Sequence, residues 1–96
     1  MREDAFKIYL SNDPSISSPK AIDSRLARAR KAEAILGISL DTVVNDDDTM
    51  FEALQKLKPF DGSTHNQMQN AVRKYYKFTN GKAFPVMKNY HSPKHP

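Results

Sequence analysis

The sequence has no cysteine, no tryptophan and only three glycines among its 96 residues. Without cysteine there are no disulfides and no thiolate zinc sites, which agrees with a reducing compartment. Three glycines are too few for a glycine-rich loop that cradles phosphates. No stretch approaches the roughly 20 apolar residues that span a bilayer, and two acids precede a very short apolar run in "MREDAFKIYL", unlike a signal peptide. We therefore expect a cytoplasmic protein that does not enter a membrane.

The composition is typical of one small folded domain. Hydrophobic residues make up 39% of the chain and charged residues 27%, as in ordinary globular proteins. A chain of this length buries only about 60 to 65% of the surface that its unfolded form exposes, so the core must be small. We expect one helical domain over residues 1–84 and a loosely ordered tail over residues 85–96, which contains three prolines and no apolar period.

The net charge of +4 is unevenly distributed along the chain. Residues 14–40 carry +3, residues 63–80 carry +3 without any acid, and residues 82–96 carry a further +3. Residues 41–52, here called the acidic segment, carry −5, from Asp41, Asp46, Asp47, Asp48 and Glu52. The sequence therefore predicts an electrically polarised molecule, and its binding partners depend on where the two signs lie.

Capping residues and apolar spacing predict the first two helices. The first covers about residues 2–10, because Asn12, Asp13 and Pro14 then interrupt the pattern. The second covers residues 19–36: Ser18 is its N-cap, proline occupies its first position, and Gly37 ends it in a left-handed conformation.

Two more helices follow a connector at residues 38–44. The third is capped by Asp48 or Thr49 and ends at Pro59. The fourth begins at a capping box formed by Thr64 and Gln67 and ends at Gly81. Because no segment alternates as a strand does, we predict an all-α fold, a small four-helix bundle with a C-terminal tail.

Basic residues cover the outer side of the second helix. At 100° per residue, Lys20, Arg28 and Lys31 face away from the apolar stripe, with Arg25 and Arg30 on its two flanks. Glu33 falls inside the stripe, where an unpaired carboxylate is costly. We expect Arg25 or Arg30 to pair with it, which would withdraw that arginine from any ligand.

Such a basic helix is often only a solvated face. Two features favour nucleic acid here: the fourth helix carries an acid-free basic cluster, and amide side chains lie beside it. Arginine, lysine, asparagine and glutamine are the residues that contact phosphates and read base edges, and we expect Arg25 or Asn70 to be the one that reaches a base. The predicted binding residues are Lys20, Arg25, Arg28, Lys31, Asn70, Arg73, Lys74 and Lys77.

Catalytic, metal and cofactor sites have little support in the sequence. The acidic segment lacks the glycine and the terminal glutamate of a calcium loop. His91 and His95 are four residues apart but lie in a proline-bearing stretch where no helix aligns them. A tyrosine nucleophile at Tyr75 or Tyr76 would need clustered arginine and histidine partners, so both tyrosines are assigned to the core. We expect no cofactor, no metal and no enzymatic activity.

The order of "AFKIYL", "SSPKAIDSRLARARKAEAILGISLD", an acid-capped helix and "NAVRKYYKFTNG" resembles a known family. It is similar to the core-binding, or SAM-like, N-terminal helical domain of tyrosine recombinases and phage integrases, and to helical modules of restriction endonucleases and other mobile-element proteins. The resemblance covers roughly residues 5–81. It implies DNA contact by the basic helices, with chemistry performed by a separate catalytic domain.

Two functions from different classes are therefore carried forward. The first is a non-catalytic DNA-binding domain, alone or as a module of a larger recombinase-type or nuclease-type protein. The second is a small protein-interaction adaptor whose acidic and basic faces bind a partner or a second copy.

Overall fold

The computed structural model describes residues 1–16, 18–62 and 65–90. These residues form five α-helices and one 3-10 turn, with no strand among them, so the predicted all-α bundle is confirmed. The helices are α1 (Glu3–Ser11), α2 (Pro19–Leu36), α3 (Leu40–Val44), α4 (Asp47–Asp61) and α5 (Gln67–Asn80), and the turn is Met87–Asn89. None of the described helices combines the length and the apolarity needed to cross a bilayer.

Helix α2 has the predicted bounds and the predicted ends. The Ser18 hydroxyl accepts a hydrogen bond from the backbone N–H of Ala21 at 3.1 Å, as an N-cap does. Gly37 takes a left-handed conformation with φ of 72°, which only glycine adopts at little cost. The core side of the helix buries Leu26, Ala29, Ala32 and Leu36.

The predicted connector at residues 38–44 contains a short helix instead, so the bundle has one helix more than the four predicted. Ser39 caps α3 by accepting a hydrogen bond from the N–H of Asp41 at 3.2 Å. Leu40, Val43 and Val44 are all buried. Five residues are too few to show a period in the sequence, and a helix this short depends on tertiary packing for its stability.

Helix α4 differs from the prediction at both ends. Its cap is Asp46, whose carboxylate accepts hydrogen bonds from the N–H and the hydroxyl of Thr49, both at 2.9 Å, so the predicted caps Asp48 and Thr49 are wrong. The helix also continues through Pro59 to Asp61. Pro59 has no backbone N–H to donate, so the helix loses one hydrogen bond there. The last residue of the helix, Asp61, is buried.

Asp61 holds the start of α5. The Asp61 carboxylate is buried and accepts hydrogen bonds from the N–H groups of Met68 (2.8 Å) and Gln69 (3.1 Å) and from the Gln69 side-chain amide (2.9 Å). Asn66 precedes the helix in a left-handed conformation without a side-chain cap. Asp61 thus satisfies two donors of the first turn of α5. The predicted capping box includes Thr64, which lies outside the described residues. The end of α5 at Gly81 is confirmed.

Helix α5 supplies the largest core side chains. Tyr75 and Tyr76 are almost fully buried, and the Tyr75 ring meets Phe6 of α1 edge to face at 5.0 Å between centroids. After α5 the chain turns back: Phe84 is buried against Tyr76, and Tyr90 stacks on Phe51 of α4 at 5.1 Å. Within residues 85–90 of the predicted tail, Met87 and Tyr90 therefore pack on the bundle, and residues 91–96 lie outside the described residues.

Candidate nucleic-acid interface

The packing of α2 against α5 places six of the eight predicted binding residues in two adjoining grooves. Groove A runs between α2 and the start of α5 and is lined by Ala21, Ser24, Arg25, Arg28, His65, Gln67 and Asn70. Groove B continues from it along α5 and is lined by Arg25, Asn70, Arg73, Lys74, Lys77, Ala83 and Phe84. Arg25 and Asn70 belong to both, so the two grooves form one surface.

A third groove adjoins the first two and shares Asn70 and Arg73 with groove B. Groove C is bounded by α4, α5 and the 3-10 turn, and its lining is Phe51, Leu54, Gln55, Lys58, Asn66, Gln69, Asn70, Arg73, Met87 and Lys88. The sequence prediction missed Lys58 and Lys88, because only the antiparallel packing of α4 and α5 and the return of the chain after residue 81 bring them to Asn70 and Arg73.

Grooves A, B and C together, here called the basic surface, contain no carboxylate. Their basic side chains are Arg25, Arg28, Lys58, Arg73, Lys74, Lys77 and Lys88. The aspartates at the start of α4 lie at the other end of that helix from Lys58. At 1.5 Å per residue, Asp47 is about 16 Å from Lys58 along the helix axis, roughly twice the Debye length at physiological salt. Salt therefore screens these aspartates from Lys58. The carboxylates nearer to the basic surface are Asp13, which pairs with Lys74, and the buried Asp61.

Two cations of the basic surface have internal partners. Lys74 forms an ion pair with Asp13, and the two side chains are only 19% and 15% exposed. The hydrogen bond from Lys74, together with those from Ser15, holds the pKa of Asp13 well below its usual range. Arg73 donates to the carbonyls of Phe84 (3.0 Å) and Pro85 (3.1 Å). Both contacts therefore tie the surface to the fold. Arg73 keeps its full positive charge, whereas the charge of Lys74 is offset by Asp13.

The other predicted cations are available to a ligand. No carboxylate of a described residue lies within ion-pair distance of Arg25, Arg28 or Lys77. Lys20 and Lys31 are exposed on α2 and are rotated by about 80° and about 60° from Arg28, on the side away from Arg25. They extend the positive surface along α2 without entering grooves A or B.

Glu33 does not pair with either predicted arginine. Its carboxylate accepts hydrogen bonds from the Met1 amino group and from the N–H of Leu40, each at 2.9 Å. Arg30 instead pairs with Glu3 of α1, and Arg25 turns toward α5. The predicted partner was wrong because sequence spacing within α2 does not show which neighbouring elements approach the same face. Arg25 is thereby left to the basic surface.

The acidic segment is bound internally through tyrosine hydroxyls, which the sequence did not reveal. Tyr75 donates to Asp41, Tyr76 donates to Asp47 at 2.7 Å, and Tyr90 donates to Asp48 at 2.6 Å. Burial and the bond to Asp47 raise the pKa of Tyr76 to about 12. The bond to Asp48 and burial raise the pKa of Tyr90 to about 12.

Within the three described ranges, no three histidine, aspartate or glutamate side chains come together as a metal site. His91 and His95 lie outside those ranges.

Comparison of the chain with models of known protein families, with curated proteins and with solved structures found no match. The resemblance to the recombinase core-binding domain therefore stays a prediction, and the argument for a function depends on the basic surface.

Proposed function

We propose that this chain is a non-catalytic, DNA-binding helical domain that holds a duplex against grooves A and B. One observation carries the proposal: two separate basic stretches of sequence fold into a continuous surface from which carboxylates are absent. A polyanion that binds there gains several phosphate contacts, and no carboxylate lines the grooves that it would occupy.

The side chains suggest a division of roles. Arg25, Arg28 and Lys77 contact phosphates, because no described carboxylate competes for them. Asn70 lies where all three grooves meet, and its amide nitrogen donates to the carbonyl of His65 at 3.2 Å. Its side-chain oxygen is left to accept a hydrogen bond from a base edge.

The adaptor function is less well supported. An adaptor that uses its acidic face needs carboxylates that can turn to a partner, whereas Asp41, Asp47 and Asp48 are hydrogen-bonded to tyrosines and Asp46 caps α4. Size-exclusion chromatography at low and high salt tests this alternative. Self-association that disappears at high salt, without any DNA binding, would favour the adaptor.

The salt dependence of DNA binding is the first test. If about six phosphates are neutralised, a plot of log affinity against log salt for a short random duplex has a slope of about −5. Fluorescence anisotropy of the labelled duplex measures it. A slope near −1 would contradict the proposal.

A matched pair of double variants then locates the surface. Arg25→Ala/Arg28→Ala removes two charges from groove A, and we expect the magnitude of the salt slope to fall by about 2. Lys7→Ala/Lys56→Ala removes the same charge from exposed positions outside the three grooves and should leave the slope nearly unchanged. Equal effects of the two variants would mean that only net charge matters and that the basic surface is not the site.

A further inference from the structure

Groove C differs from grooves A and B in having an apolar wall. Phe51, Leu54 and Met87 contribute this wall, while the remaining lining is entirely amide or basic. Its volume of about 660 Å³ lies within the range of ordinary small-ligand pockets, which hold a ring rather than a helix of duplex. A phosphate backbone is charged, so contact with an apolar wall would not stabilise it.

We propose that groove C binds one unpaired nucleotide, with the base against the apolar wall and the phosphate on the cationic rim. This inference rests on the proposed function and extends it: a duplex on grooves A and B would continue into groove C as a single strand. The continuity is physical, because Asn70 and Arg73 line both groove B and groove C.

The amide side chains favour a base over other planar groups. Gln55 is exposed and makes no hydrogen bond to a described residue, and Asn70 retains its side-chain oxygen. An amide presents a donor beside an acceptor, which is the pattern that pairs with the edge of an adenine. Unpaired bases are recognised through such edge contacts combined with packing of the ring face, and the polarizable Met87 thioether suits a ring face.

The charges favour a nucleotide over a neutral ring. Lys58 of α4 and Lys88 of the 3-10 turn are exposed at the groove, Arg73 lines both this groove and groove B, and no acid lines the groove. An acidic peptide would also satisfy these cations, but it would leave the planar amides and the apolar wall without a matching group. A nucleotide matches the cations, the amides and the wall together.

The test compares two labelled duplexes of identical paired sequence, one blunt and one with a short adenine overhang. We expect the overhang duplex to bind at least about fivefold tighter, because an unpaired base packed on a protein surface adds affinity of this order. Equal affinity for the two duplexes would overturn the inference while leaving the proposed function intact.

Charge-reversal variants assign the preference to groove C. Lys58→Glu/Lys88→Glu should abolish the overhang preference, whereas the matched control Lys7→Glu/Lys56→Glu should keep it; circular dichroism confirms that both remain folded. If the first variant weakens blunt and overhang duplexes by the same factor, groove C is only part of the backbone surface and the inference fails.

Two further probes test whether groove C binds a free nucleotide and whether it prefers an acidic peptide. Adenosine monophosphate alone, followed by NMR, should shift the resonances of Gln55 and Met87. If it does so while no duplex binds at all, the proposed function fails and groove C stands as a site for free nucleotide. If an acidic peptide displaces the overhang and binds more tightly than it, groove C is a protein-binding site and the inference is overturned.

Discussion

The acidic segment and the basic surface show two opposite uses of charged side chains in one small molecule. In the acidic segment, three aspartates accept hydrogen bonds from tyrosine hydroxyls and a fourth caps α4, so these carboxylates stabilise the fold. On the basic surface, Arg25, Arg28 and Lys77 have no described carboxylate as a partner. Removing charge from the first region should therefore change stability, and removing it from the second should change binding.

The largest effect on stability is expected at Asp61, the carboxylate buried beneath the basic surface. Asp61→Ala leaves the N–H groups of Met68 and Gln69 without their acceptor, and the Gln69 side-chain amide keeps only its bond to Asn66 at 3.3 Å. Burying such unsatisfied donors and losing the cap should lower the free energy of unfolding by about 2 to 3 kcal/mol. Urea denaturation followed by circular dichroism measures the loss.

Asp23→Ala is the matched control for that substitution. Asp23 is exposed on α2 and has no hydrogen bond or ion pair to a described residue, so its removal should change stability by less than about 0.5 kcal/mol. A similar loss of stability in both variants would mean that the buried hydrogen bonds of Asp61 do not stabilise the fold.

A smaller effect is expected from alkaline pH. Tyr76 and Tyr90 have pKa values of about 12 in the folded protein, against about 10 for a tyrosine in an unfolded chain. The unfolded state therefore loses these protons first, and the stabilisation that they provide is complete below about pH 10 and is lost as the pH rises through 12. Denaturant titrations at several pH values should show this decline.

Phenylalanine variants assign the decline to the two hydroxyls. Tyr76→Phe/Tyr90→Phe should flatten it, leaving only the part due to lysines and other groups common to all variants. Tyr9→Phe, which removes a hydroxyl that contacts no described carboxylate, should keep the wild-type dependence. If the double variant loses stability as steeply as the wild type, the bonds to Asp47 and Asp48 do not contribute as described.

The smallest effect on stability is expected on the basic surface itself. Arg25→Ala/Arg28→Ala, the variant proposed above as a test of DNA binding, should change the free energy of unfolding by no more than about 0.5 kcal/mol per residue. Neither guanidinium has an ion-pair partner in the described structure to lose. A loss of about 2 kcal/mol or more, measured by urea denaturation, would mean that these arginines stabilise the fold as the aspartates of the acidic segment do. The contrast between the two regions would then not hold.

The sequence predicted helix α2 completely because every signal for it is local. Ser18, Pro19 and Gly37 act on their own backbone, and the apolar stripe has enough turns to show its period. The end of α5 at Gly81 was predicted for the same reason.

The elements that were mispredicted depend on distant partners. Three consecutive aspartates could each cap α4, and Asp46 does so while Asp47 and Asp48 bind tyrosines far along the chain. Pro59 indicates a helix end, yet α4 continues for two more residues, and its last residue, Asp61, accepts a hydrogen bond from the start of α5. Such contacts link residues whose proximity exists only after folding.

The residues that line the basic surface could likewise be predicted only in part. Helical rotation identified Arg25, Arg28 and the cations of α5, and the packing of α2 on α5 joined them. The contribution of Lys58 and Lys88 needed the path of the chain after α5, for which the sequence has no periodic signal.

That path has an energetic consequence. Ala83, Phe84, Met87 and Lys88 form walls of grooves B and C, and the carbonyls of Phe84 and Pro85 are held by Arg73. A molecule seated against these walls can bind only while residues 83–88 are docked, so detachment of this stretch and occupancy of the grooves exclude each other. By mass action, every bound ligand then raises the free energy needed to peel the stretch away. If the grooves bind a ligand as proposed, that binding and the docking of residues 83–88 form one coupled equilibrium.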